Sequence, residues 1–168
     1  MISERRFPTK QDCLQACSEA IVSCLADSLK NKNQAKLVVS GGRTAKKLLP
    51  YLAAANLDWT KIGIGLTDER CVPMDHEERN ERLVKTCFEK NGVSLIGLTG
   101  LVDEQGNFKS FEKNASRSTV TFLGMGEDGH IASLFPSGGL ELINSYPCVG
   151  TKSPFGVVDR VSLSHEHC

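Results

Sequence analysis

Three short clusters hold the residue types that chemistry needs. In Gly124-Met-Gly-Glu-Asp-Gly-His130 a carboxylate and an imidazole, Asp128 and His130, stand two positions apart in a glycine-rich run. Such a pair suits general base catalysis, because a carboxylate can orient the ring while the ring takes up a proton near neutral pH. A lone histidine is more often structural, but one that follows Asp-Gly beside other polar clusters is a candidate base. The glycines, Gly126 among them, would present both side chains at the end of a strand. The second cluster, Ser40-Gly41-Gly42-Arg43-Thr44, follows a strand and opens a helix. Two glycines permit positive φ and close approach of a ligand, so successive backbone N–H groups can form an anion nest backed by the helix dipole. A phosphate fits such a nest; an ordinary glycine turn with Thr44 near the helix N-cap fits the residues equally well. The third cluster, Thr67-Asp68-Glu69-Arg70, joins two carboxylates to a guanidinium. Arg70 can bind phosphate or carboxylate through two parallel bonds, whereas the same triplet on a surface is a solvated loop.

Other chemistries are excluded by spacing. Gly124–Gly129 satisfies G-x-G-x-x-G, but a dinucleotide fingerprint needs a full crossover helix and an acidic residue about 20 positions on. Pro136 cuts the following helix short, and Thr151–Val158 has no acidic residue before Asp159. No Walker loop is present, and Ser133 lacks the G-x-S-x-G elbow of a serine hydrolase. His76 lies in the charged run 75–82, read most simply as a solvated helix start, although Asn80 there can face a crevice. His165 and His167 in the tail are adventitious metal ligands at most, so no metal site is expected.

Those clusters need elements to carry them. Leu14, Cys17, Ile21, Cys24, Leu25 and Leu29 recur at helical spacing across residues 9–30. Lys36–Ser40 reads as a strand that stops at Gly41-Gly42, followed by a helix over 44–55 with Leu48, Leu49 and Leu52 inward. Ile62–Thr67 is a second strand, and 76–90 a charged helix with Leu83, Val84, Cys87 and Phe88 as its inner face. A third unit runs from a strand over 118–123 through the glycine-rich loop into a short helix over 131–135, while 100–117 is a polar connection. Three strand-loop-helix units imply parallel strands joined by crossover helices, hence an α/β three-layer Rossmann-like sandwich with a mainly parallel sheet. All three polar clusters then fall at the strands' carboxyl ends, where such sheets bind ligands.

Composition narrows the partners. The 168 residues are 40% hydrophobic, enough for one buried core, and 20 Lys+Arg balance 20 Asp+Glu. A net charge of zero gives no field for nucleic acid or an anionic membrane, and any anion site must be local. Residues 1–8 hold no signal-peptide core, and no stretch of about 18 apolar residues suggests a membrane span. A cytoplasmic protein, monomeric or weakly self-associating, is expected. The seven cysteines are odd in number with no C-x-x-C pair, so reduced thiols are expected. Cys13, Cys17 and Cys24 share one helix face and read as core packing.

Taken together, Val39-Ser-Gly-Gly-Arg-Thr44, Trp59-Thr-Lys-Ile62 leading to Thr67-Asp-Glu-Arg-Cys-Val-Pro73, Arg79-Asn80 with Leu83-Val84, and Leu123-Gly-Met-Gly-Glu-Asp-Gly-His-Ile-Ala-Ser-Leu-Phe-Pro136 resemble the 6-phosphogluconolactonase family, whose superfamily also holds glucosamine-6-phosphate deaminases. Deaminases typically carry Asp-Glu-Tyr and Ala-Phe-Asn-Glu-Pro where this chain has Asp-Glu-Arg and Ala-Ser-Leu-Phe-Pro, so the lactonase branch is favoured. The resemblance spans about residues 8–164. It implies one domain over 1–168 that hydrolyses 6-phospho-D-glucono-1,5-lactone to 6-phosphogluconate, in the oxidative pentose phosphate pathway, without metal or organic cofactor. His130 would be the base with Asp128 orienting it, and Ser40, Gly41, Gly42, Arg43 and Thr44 with Gly126 would hold the sugar phosphate. Arg70 would neutralise phosphate or steady the intermediate, and Asp68 would hold a sugar hydroxyl or position a basic side chain. Cys71 replaces a frequent Trp. Ser153-Pro154-Phe155 lacks the family's Lys, for which Lys152 or Arg160 would substitute. Members usually continue for some tens of residues past Ser164, so the domain is expected to lack a C-terminal strand and helix. Two other readings remain open: deamination of glucosamine 6-phosphate with Asp68 and His130, and a non-catalytic sugar-phosphate sensor.

Overall fold

The computed structural model describes residues 3–98, 102–107, 117–136, 148–154, 156 and 159–164. Helix α1 (Lys10–Lys32) begins where the Thr9 hydroxyl accepts the Asp12 N–H, and ends at Asn33, whose left-handed backbone (φ 55°) lets its N–H reach Leu29 O. Its buried seam is Ser18, Ile21, Leu25 and Ser28. Cys17 packs partly against the core, but Cys13 and Cys24 are exposed. The expected cysteine face therefore reduces to one residue: all three share a face, but it lies to one flank of the seam that meets the sheet.

The main sheet is parallel. Strands β1 (Ala35–Val39), β2 (Ile62–Leu66), β4 (Ser94–Gly97) and β5 (Val120–Phe122) lie in the order β4-β2-β1-β5, with Leu37 opposite Ile64 and Val120. Side-chain alternation puts Ala35, Leu37, Val39, Ile62, Ile64 and Leu66 on one face, all within the buried core. Helix α2 (Gly42–Ala53) buries Leu48, Leu49 and Leu52 completely. Helix α3 (Asn80–Phe88) buries Val84 and Phe88, and Phe88 meets Trp59 with ring centroids 4.8 Å apart. The helices α1, α2 and α3 pack in that order as one layer. This is the expected α/β architecture with a mainly parallel sheet; a second helical layer is not found among the described residues.

Two elements differ from the expectation. Asp68-Glu69-Arg70 is strand β3 of a second, antiparallel sheet, in the order β3-β7-β6, with β6 (Cys148–Lys152) and β7 (Asp159–Leu163). Asp68 pairs with Ser162 and Arg70 with Arg160, and the Leu163 N–H donates to Thr67 O at 2.7 Å. A polar triplet becomes a strand here because a distant backbone supplies its partners, which no local propensity reports. The helix expected over 131–135 does not form. Gly129 (φ 84°) and Ala132 (φ 49°) take left-handed backbone, and Ile131 bridges instead to Met125 and Leu134. Left-handed residues interrupt any run of helical dihedrals.

Candidate active site

The carboxyl ends of β1, β2 and β5 open onto a cavity of about 350 Å³, within the usual range for small-molecule sites. Ser40, Gly41, Gly42, Arg43 and Thr44 line it, together with Asp68, Arg70, Gly126, His130 and Arg160. Of the predicted site residues only Asp128 is not in the lining; it is bonded to His130 Nδ1. Lys152 instead pairs with Asp159 at 3.4 Å on the surface, so of the two expected substitutes it is Arg160, on β7, that lines the opening.

At the cradle, Gly41 and not Thr44 is the N-cap of α2, because Gly42 already carries the φ of 84° that turns the chain into the helix. No side chain caps this end and its first turn holds no acid. Its orphan N–H groups and the positive end of the helix dipole are thus left for an anion. Arg43 is almost fully exposed and reaches across the mouth to Glu127 at 3.4 Å.

The opposite wall is the loop after β5. His130 Nδ1 and Asp128 Oδ1 are 2.5 Å apart, and the two side chains remain 28% and 32% exposed. The hydrogen bond from His130 holds the Asp128 carboxyl below its ordinary value, so the carboxylate is the acceptor and Nε2 is the nitrogen left for substrate. The imidazole lies directly on Gly126: a Cβ there would stand 2.3 Å from its Cε1 and Nδ1. Phe135 backs the ring at a centroid distance of 4.6 Å. Ala132, in the lining, carries the unfavourable left-handed backbone noted above, the kind of local strain that functional loops retain.

Between the walls, a chain of buried hydroxyls fixes Asp68. Ser133 Oγ donates to its Oδ2 at 2.7 Å and Thr67 Oγ1 to its Oδ1 at 3.1 Å, while Thr67 also meets Ser40 Oγ at 2.9 Å. Asp68 is therefore held by hydroxyls rather than bonded to a basic side chain. Arg70 and Arg160 are directly opposed across β3 and β7. Burial and the neighbouring Arg70 push Arg160 below its ordinary value, partly offset by Asp68, Glu78 and Glu69. Two like charges set side by side in a polar hollow favour an anion between them.

The sequence reading missed the support beneath this site. The run 75–82 is not a solvated helix start: Arg79, Asn80 and Glu81 are 1%, 3% and 4% exposed. Glu69 accepts the N–H groups of Arg70, Asn80 and Glu81 and so caps α3. Arg79 donates to Glu81 Oε2 at 3.0 Å and to the carbonyls of Val72, Val102 and Asp103. The only local signal was the Glu-Arg-Asn-Glu composition, which a solvated helix shares. His165 and His167 lie outside the described residues.

Comparison with known proteins agrees with this geometry. The family model for glucosamine-6-phosphate isomerases/6-phosphogluconolactonase matches residues 8–167. A 6-phosphogluconolactonase of Pseudomonas putida is 33% identical over 145 residues, covering 79% of this chain and 60% of the relative. One from Rhizobium meliloti is 34% identical over 140 residues, with the same two coverages. The chain thus spans 60% of the length of these curated relatives. The crystal structure of a 6-phosphogluconolactonase from Shewanella baltica superposes with a TM-score of 0.81 at 31% identity, covering 96% of this chain and 74% of the other. With the uncapped α2, the Asp128–His130 pair and the opposed arginines converging on one cavity, and the match running over nearly the whole chain, the protein belongs to the glucosamine-6-phosphate isomerase/6-phosphogluconolactonase family.

Proposed function

We propose that the chain hydrolyses 6-phospho-D-glucono-1,5-lactone to 6-phosphogluconate, with His130 as general base. One observation carries the reading: the imidazole and the uncapped helix terminus share a single cavity whose lining includes three arginines. A lactone is an activated ester, so the chemistry needs a base for water, charge for the oxyanion and an anchor for the phosphate. His130 Nε2 removes a proton from water and the hydroxide oxygen bonds to C1. The resulting oxyanion collapses, the C1–O5 bond breaks, and the ring oxygen takes the proton back from His130. The new carboxylic acid then ionises, releasing one proton per turnover. Asp128 holds Nδ1 and keeps the ring in place through both steps. The N–H groups of 42–44 with Arg43, Arg70 and Arg160 take the phosphate, and Asp68 accepts from a sugar hydroxyl. On this reading the reaction is a step of the oxidative pentose phosphate pathway in the cytoplasm; the likeness to 6-phosphogluconolactonases supports the reading, and no helix among the described residues is long and apolar enough to cross a membrane.

Arg70 favours this reading over deamination, because it adds positive charge to an anion-binding wall where deaminases typically carry Tyr. The test is to supply the purified chain with 6-phosphogluconolactone and with glucosamine 6-phosphate, following acid and ammonia release above the spontaneous rate. Acid release alone is expected, and His130→Ala should lower kcat by about a hundredfold or more. Ammonia release would establish the deaminase reading. Binding of 6-phosphogluconate without turnover would establish a sensor. Undiminished activity in His130→Ala would remove the base.

A further inference from the structure

Asn80 lines the cavity, yet its hydrogen bonds run sideways into the walls. Its Oδ1 accepts from Arg70 Nη1 at 3.0 Å, its Nδ2 donates to Asp68 O at 3.0 Å, and its N–H donates to Glu69 Oε1 at 2.9 Å. The amide also lies against Gly41, so closely that a Cβ at Gly41 would stand 1.9 Å from Oδ1. One side chain thus touches the cradle before α2, the start of β3 and the guanidinium at the end of β3. Its orientation is dictated by chemistry, since a guanidinium only donates and a carbonyl only accepts. Arg70 Nη1 has one other anchor, Glu78 O at 2.6 Å, and its buried Nε has no partner among the described residues.

We propose that Asn80 is a positioning residue of this site, holding Arg70 and the Gly41 turn in a fixed relation so that both meet one phosphate. The inference rests on the function proposed above. An arginine free to rotate must be ordered when the anion arrives, and pre-ordering it strengthens binding. A neutral amide does so without consuming the guanidinium's charge. A carboxylate in its place would pair with Arg70 in competition with phosphate and would face the Asp68 carbonyl without a proton to donate.

A double-mutant cycle tests this on 6-phosphogluconate affinity, measured by calorimetry. Asn80→Ala should weaken binding about tenfold, as for loss of a hydrogen bond to a charged group, but by less than about twofold once Arg70 is already Ala. Equal losses in the two backgrounds would overturn the proposal. Asn80→Asp, which changes little in size and so guards against misfolding of the alanine variant, should weaken binding at least as much; affinity unchanged from the parent would overturn it. A readout that needs no ligand is the nitrogen NMR of the Arg70 guanidinium. Its Nη signals should be resolved in the parent chain and averaged by rotation in Asn80→Ala and slowed or split differently in Asn80→Asp. Averaging already present in the parent would overturn the proposal. A parent chain that neither binds 6-phosphogluconate nor opens the lactone would defeat the proposed function, and the NMR comparison alone would then decide the role of Asn80.

Discussion

Asp128 with His130, and Glu69 with Arg79 and Glu81, both set carboxylates against nitrogen bases, but in opposite surroundings. The first pair keeps about 30% of its side-chain surface in contact with solvent, at 28% and 32%. The second group is sealed: counted over side-chain atoms alone, Arg79 is 0%, Glu69 1% and Glu81 6% exposed. In the wet pair a proton can come and go, and the glycine at 126 leaves the ring the space that a Cβ would fill. In the dry cluster the charges are matched to one another and to backbone groups, so it serves as a clamp. It joins β3, α3 and the 102–107 segment, and carries Arg70 and Asn80 on its outer side. Arg79 Nε has no hydrogen-bond partner but sits 3.6 Å from Glu69 Oε2, a Coulombic contact inside the cluster. Only the exposed pair is open to a substrate, and the wall that faces it, with Arg70 and Asn80, is fixed by the buried cluster.

The largest expected effect separates the two directly. Arg79→Leu removes the cation beside the buried Glu69 and the donor to the Val72, Val102 and Asp103 carbonyls, while Glu81 keeps Lys85 at 2.9 Å; it should cost about 3–5 kcal/mol of unfolding free energy, read from denaturant titration. A loss below about 1 kcal/mol would mean that water reaches the cluster and that the contrast is false. Next comes Gly126→Ala, which drives a methyl into the imidazole. It should lower kcat by about tenfold or more while the melting temperature stays near that of the parent. A parallel fall in both would make this loop part of the scaffold.

A smaller effect should appear in the pH dependence of stability. Burial pushes the Glu69 carboxyl up to about 7, against three backbone N–H groups and Arg79. Because the folded value lies above the ordinary 4.5, the folded chain holds this proton more tightly than the unfolded one. The associated stability is complete below pH 4.5 and is lost as pH rises through about 7. Melting temperatures from pH 5 to 8 should therefore decline for the parent relative to Glu69→Gln. A parent that gains stability over that window would show that the carboxylate, not the acid, is the native form. Smallest of all, Glu127→Ala removes only the exposed contact to Arg43. Melting temperature should not change measurably, and KM should move by less than about twofold. A larger shift in KM would mean that this contact holds Arg43 away from the substrate.

Local rules reach much of this molecule. The helices with Leu48, Leu49 and Leu52, or with Val84 and Phe88, were readable because their burial follows helical period. The strands before Gly41 and Asp68 were equally plain, as was the convergence of the glycine-rich turns at 40–44 and 124–130 on one end of the sheet. The strand β4 escaped notice because Ser94–Gly97 is four residues long and weakly patterned. β3 escaped because its residues are polar and its partner lies about ninety positions away. The false helix over 131–135 came from apolar spacing that the backbone of Gly129 and Ala132 does not follow.

The amino-acid sequence by itself determined the fold class, the family and which side chains are candidates for chemistry, because glycine-bounded motifs and apolar periods are short-range properties of the chain. Tertiary structure alone decided that Arg160 rather than Lys152 faces the cavity, that Arg79 and Glu81 are buried, and that Asn80 ties Arg70 to the cradle. Those outcomes depend on which surfaces lose water when distant strands pair, and a charged residue reads the same in either environment until packing chooses one.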